Sequence, residues 1–164
     1  MTKDEAEAFL AKEMRLLDEG HLEEWARLFT EDAVYWLPRE QDSPREPEAA
    51  IIFDTGTQRA IRVKHLVHEE HLAQMPKSET VHYFSNVELS DPVGEDKAFI
   101  RCNVLVYEMR PGAFHGLDVG RGVLRPFPAR CEYRLRHPDD WLIEEKKVLL
   151  LNRSEPIYNL TFLI

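Results

Sequence analysis

Apolar residues at Ala6, Phe9, Leu10, Met14 and Leu17 recur every three or four positions, so the chain is predicted to open with an amphipathic helix from Lys3 to Glu19. Thr2 and Glu5 stand ahead of it at the spacing of a capping box, and Gly20 supplies its stop. A second helical face follows at Leu22, Trp25, Ala26 and Phe29. The pattern then changes to Ala33, Val34, Tyr35, Trp36 and Leu37, a short unbroken apolar run ended by Pro38, which reads as a strand. The next segment, REQDSPREPE, is polar and proline-rich and is expected to be an exposed loop. A third helix is expected after Asp54 or Thr55, carrying Ile61, Leu66 and Val67 and ending before Pro76.

From Thr80 the periodicity becomes that of strands, with Thr80 to Leu89, Lys97 to Met109, Gly120 to Arg136 and Trp141 to Leu151 as the candidates. Turn chemistry separates them at Asp91-Pro92-Val93-Gly94, Arg110-Pro111-Gly112 and His137-Pro138-Asp139-Asp140. Along Lys97 to Tyr107, Ala98, Ile100, Cys102, Val104 and Val106 share one face, while Phe99, Leu105 and Tyr107 lie on the other among Arg101 and Asn103. Both faces carry apolar groups, so both should be covered. Helices first and antiparallel strands afterwards predict an α+β fold with a curved sheet wrapped around the N-terminal helices.

A length of 164 residues suits one domain spanning 1–164, which would bury about 70% of the surface of its unfolded chain. No apolar run reaches the roughly 20 residues needed to cross a bilayer, and the acidic start MTKDEAEAFL lacks the basic end of a secretory signal, so a cytoplasmic location with no membrane anchor is expected. A net charge of -9 repels phosphate backbones and anionic lipid, which argues against nucleic acid as a partner. Cys102 and Cys131 form no CxxC pair and read as packing residues.

Several short motifs occur in a shared order: Glu13, Leu16-Leu17-Asp18, Glu24-Trp25 and Tyr35-Trp36-Leu37-Pro38, then Pro76, Ser78, Thr80, His82, Ser85, Asn86 and Val87. Leu105-Val106-Tyr107, Phe114, Gly116, Trp141, Val148-Leu149-Leu150 and Asn159-Leu160 continue the series almost to the last residue. In this order they resemble the small (beta) subunit of aromatic-ring-hydroxylating dioxygenases, a member of the nuclear transport factor 2-like, SnoaL-like or cystatin-like cone-fold group. Two positions depart from the pattern: Glu79 and Val81 stand where the family often carries arginines.

The resemblance implies a non-catalytic subunit that supports a large (alpha) subunit. That partner would hold the Rieske 2Fe-2S cluster, the mononuclear iron and the substrate pocket for cis-dihydroxylation. It also implies a homo-trimer of small subunits within a hetero-hexamer. The residues agree, since neither cysteine has a histidine nearby to form a Rieske motif, and HExxH, P-loop, GxGxxG and GxSxG patterns are all missing from the sequence. His65, His68 and His71 have helical spacing that could bring imidazoles together for a metal, with His65 and His68 the weak candidates, but a polar, solvated helix surface is the expected reading and no metal is expected.

Related cone-fold enzymes suggest a second reading, a free-standing dehydratase or isomerase, or a small-molecule binding protein. Asp32, Tyr35 and His82 would then converge as acid, phenol and imidazole. Lastly, the apolar ending, with Leu160, Phe162, Leu163 and Ile164, requires burial in its own subunit or at an interface between copies, and a sheet-mediated trimer is the expectation.

Overall fold

The computed structural model describes residues 1–68, 76–90, 96–112, 122–137, 139–157 and 160–164. Helix α1 runs from Lys3 to Asp18, with the Thr2–Glu5 capping box formed in both directions. Gly20, at φ +73°, turns the chain out of it. Helix α2 (Leu22–Ala26) is a single short turn that buries Trp25. Phe29, expected on this helix, instead opens strand β1 (Phe29–Pro38), which begins four residues before the apolar run suggests.

The proline-rich segment leads through a short 3-10 turn at Pro47–Ala49 into strand β2 (Ala50–Asp54), which the sequence reading missed. Helix α3 (Gly56–His68) buries Arg59 and Val63, whereas Ile61 is exposed and Leu66 and Val67 are half-buried. Its start is pressed against β1. A Cβ at position 56 would lie 2.4 Å from the Glu31 carbonyl oxygen, so only glycine fits. The Arg59 guanidinium closes the same junction by donating to the carbonyls of Ala33 and Thr30, each at 3.1 Å. Those bonds replace ladder contacts where the pairing of β1 skips between Phe29 and Val34.

Strands β3 (Glu79–Ser90), β4 (Lys97–Met109), β5 (Arg125–Arg136) and β6 (Leu142–Leu150) complete a six-stranded sheet in the order β2-β1-β6-β5-β4-β3. All neighbours are antiparallel except β1 and β6, which are parallel. The expected turn at 91–94 and all of the 113–121 connection lie outside the described residues, while 122–124 precede the strand rather than belong to it. A register shift between Ser85 and Glu88, with Asn86 at φ +55°, bends β3. Pro126 and Pro128 are tolerated in β5 because the Pro128 carbonyl accepts from Leu151 just past the end of β6, so the missing N–H groups face the side where the ladder stops. On the inner face, Ile100, Cys102, Val104, Val106, Phe127, Cys131, Tyr133, Leu135, Ile143 and Val148 pack with Leu10, Met14, Leu17 and Trp25 from the helices.

Candidate functional site

The inner face carries charge as well as carbon. Glu13 on α1 lies among Leu10, Met14 and Leu17, and Lys146 on β6 shares the inward side with Ile143 and Val148; both side chains are fully buried. Lys146 Nζ donates to Glu13 Oε1 at 2.7 Å, Trp25 Nε1 donates to the same oxygen at 3.1 Å, and the Tyr133 hydroxyl donates to Oε2 at 2.8 Å. The ammonium also sits 5.3 Å from the Tyr133 ring centroid and 5.8 Å from that of Tyr35. Burial, reinforced by the Glu13 carboxylate, pushes the Tyr133 phenol well above its ordinary range. An ion pair this deep survives because the carboxylate accepts from three donors, while the ammonium has that carboxylate and two aromatic rings beside it.

A second network joins α1, β3 and the C-terminal segment. Asp18 Oδ1 lies 2.6 Å from His82 Nδ1 and accepts from the Thr80 hydroxyl at 2.9 Å, while Oδ2 accepts from the His82 backbone N–H at 3.0 Å. His82 Nε2 lies 3.2 Å from the Leu163 carbonyl. The two ring nitrogens thus face two different oxygens, the Asp18 carboxylate on one side and the Leu163 carbonyl on the other. Burial pushes the Asp18 carboxyl up, but the bonds from His82 and Thr80 outweigh it and hold the group below its usual range.

Tyr35 meets the same segment. Its hydroxyl donates to the Ile164 main-chain oxygen at 3.3 Å and accepts from the Ile164 N–H at 3.2 Å, and burial raises its pKa well out of reach of neutral pH. Thr161 and Ser78 share a 2.8 Å hydroxyl contact, and Ser78 donates onward to buried Glu108 at 2.6 Å. Arg125 Nε completes that chain at 2.8 Å from Glu108.

Of the three residues considered for catalysis, the fold brings Tyr35 and His82 to one place and leaves Asp32 elsewhere. Asp32 is 79% exposed and lies 3.6 Å from Arg136, on the outside of the cone. The burial pattern of β1 explains this, because Glu31 and Asp32 fall where the strand is unpaired and faces solvent. His65 and His68 are exposed, and His68 pairs with Glu23 at 2.8 Å. Among the described residues no group of three or more potential metal ligands stands together, and His71 lies outside them. Cys102 and Cys131 are buried directly opposite one another on β4 and β5. Their thiols share a hydrogen bond that, with burial, pushes Cys131 well above its ordinary value, so Cys131 is not a ready nucleophile. Phe162, Leu163 and Ile164 are buried within their own chain and Leu160 is half-buried there, so the apolar ending is covered without a second copy.

Sequence reasoning did not foresee Glu13, Lys146 and Asp18 as partners. A signal existed: an acid on the apolar stripe of a helix and a lysine on the apolar side of a strand each need a counter-charge.

The outer face of the sheet is different. Val81, Tyr83 and Met109 are exposed, and Leu105 and Tyr107 lie beside them. Tyr83 is 57% and Leu151 68% exposed. Between them runs a half-open groove of about 550 Å³, floored by Leu105, Pro128 and Leu149 and edged by Arg130 and Arg153.

Residues 12–154 match the family described as ring hydroxylating beta subunit. The chain belongs to that family. It is 31% identical over 155 residues to the small oxygenase component of the p-cumate 2,3-dioxygenase system of Pseudomonas putida, an alignment covering 92% of this chain and 79% of the relative. Among solved structures, it superposes on the beta subunit of benzoate 1,2-dioxygenase from Burkholderia mallei with a TM-score of 0.71 at 23% identity, covering 96% and 95% of the two chains. A naphthalene 1,2-dioxygenase chain gives a TM-score of 0.77 at 20% identity, covering 99% and 85%. The fold is the nuclear transport factor 2-like, cystatin-like cone. As a member of the family, this chain is a beta subunit of an aromatic-ring-hydroxylating dioxygenase, an oxidoreductase system.

Proposed function

We propose that this beta subunit acts by assembly alone, as one domain spanning 1–164 that self-associates as a cytoplasmic homo-trimer and supports a large subunit in a hetero-hexamer. The Rieske cluster, the mononuclear iron and the aromatic substrate belong to that partner in this reading. The carrying observation is the closed interior: Tyr35 and His82 are each committed to main-chain atoms of Leu163 and Ile164, and Glu13 and Lys146 to one another. Proton transfer to a substrate needs a group within reach of it, and these groups are occupied.

The outer sheet face supports self-association. Tyr83, Val81, Met109 and Leu151 leave a connected apolar surface uncovered, the kind of patch that marks a protein contact. Glu79 and Val81, the two departures from the family pattern, lie on this strand with both side chains exposed, so a contact made here is expected to use Val81 and Tyr83 and to meet the Glu79 carboxylate in place of arginines. Co-expression with the large subunit followed by native mass spectrometry tests the reading. Equal numbers of the two chains are expected, with iron only in the large one. A lone small subunit that binds stoichiometric iron, or turns over a substrate, would refute it.

A further inference from the structure

Four consecutive residues, Thr161 to Ile164, are buried without belonging to a helix or strand. Among the described residues, the bonds of this segment's main chain go to side chains: His82 takes the Leu163 oxygen, and Tyr35 takes both the oxygen and the N–H of Ile164. Buried backbone is ordinarily satisfied by other backbone. Here β1 and β3 contact the segment through side-chain groups, the way a protein contacts a ligand. Phe162 occupies an aromatic slot, edge-on to Phe127 at 5.1 Å between centroids.

We propose that Thr161–Ile164 is a built-in occupant of a binding pocket, and that the pocket, once vacated, takes a small arylalkanoic acid. The phenyl ring would replace Phe162 against Phe127. The carboxylate would replace the main-chain oxygens now held by the His82 N–H and the Tyr35 hydroxyl. Two buried polar groups that hold the main-chain oxygens of adjacent residues beside an aromatic slot suit that combination of ring and oxyanion.

The fold also provides an approach. A half-open cavity of about 280 Å³ runs along the flank of the segment, between Leu160 and Phe162 on one side and Asp54, Arg62 and His65 on the other. Arg62 is tied to Asp54 by two bonds, so the cleft wall is held in place, while the segment is held by side chains: those of His82 and Tyr35, the Ser78 hydroxyl on Thr161, and the apolar packing of its last three residues. This inference stands whether or not the assembly role is correct, because it concerns the interior of one chain.

The full-length triple variant Phe162→Ala, Leu163→Ala, Ile164→Ala empties the slot while keeping the chain intact. Calorimetry with 3-phenylpropionate is expected to give one site, at least tenfold tighter than for propylbenzene, with the preference erased by adding His82→Gln. Absence of binding, or equal affinity for the two probes, overturns the proposal, the second result showing a plain apolar cavity. Should the triple variant not fold, hydrogen exchange in the full-length single variants Tyr35→Phe and His82→Gln decides. The Leu163 and Ile164 amides should exchange at least tenfold faster than in the wild type, and unchanged exchange overturns the proposal.

Discussion

The two faces of the sheet solve opposite problems. Inside, the ionisable groups that enter the apolar core bring partners: Glu13 with Lys146, Trp25 and Tyr133, and His82 with Asp18 and Leu163. Outside, the apolar residues Val81, Tyr83 and Leu151 face water without cover, while charges such as Arg101 and Glu132 pair loosely at 3.4 Å across the strands. A buried charge without a partner is penalised heavily, whereas an exposed apolar group costs little until a partner arrives. The inner face therefore bears on folding and the outer face on the proposed association, and substitutions separate the two.

The largest effect belongs inside. Glu13→Ala strands the Lys146 ammonium in the core and should lower unfolding free energy by about 3–5 kcal/mol, read as the urea midpoint at constant slope. The double variant Glu13→Leu, Lys146→Met removes both charges and should recover part of that loss, the remainder reflecting the Trp25 and Tyr133 donors left without their acceptor. If it were as unstable as the single variant, the pair would matter for shape rather than charge.

Asp18→Asn weakens three bonds at once and is expected to lose about 1–3 kcal/mol near neutral pH. The pH dependence follows from the lowered Asp18 pKa. The unfolded carboxyl binds its proton at a higher pH than the folded one, so the stabilisation is present above about 3.9 and is lost as pH falls through the folded value. The gap between wild type and variant should therefore narrow in acid. A gap that widened below pH 4 would contradict the network.

Outside, Tyr83→Asp with Leu151→Asp should change the unfolding free energy of the isolated chain by no more than about 0.5 kcal/mol, yet convert the oligomer to monomer in light scattering. Unchanged mass would send the search for the contact to another face. Smallest of all, His68→Ala removes an exposed pair with Glu23 and should shift stability by at most about 0.5 kcal/mol, with metal content unchanged.

Much of the scaffold was readable in advance. Strand β4 has the expected bounds because its strict alternation over thirteen residues leaves one reading. The capping box and Gly20 fixed both ends of α1. Strand β2 was missed because Ala50 to Asp54 is short and follows a proline-rich run, and its stability comes from pairing with β1, which no local pattern reports. Likewise α3 turned out to bury an arginine, since its anchor is a pair of β1 carbonyls left bare by a skipped register. The candidate site was half legible: Tyr35 and His82 hold adjacent residues, Ile164 and Leu163, but the segment that links them is about eighty residues further along than His82, and such separations leave no periodicity to read.

The parallel pairing of β1 with β6 has a consequence for synthesis. Tyr35 must wait for Lys146 before β1 gains its second neighbour, and at roughly 5–20 residues per second that interval on the ribosome lasts several seconds or more. During it, the apolar run Ala33 to Leu37 has only β2 beside it. The nascent chain thus exposes its most adhesive strand for most of its own translation, and slowing the ribosome or withdrawing chaperones should reduce yield before any equilibrium property of the finished subunit changes.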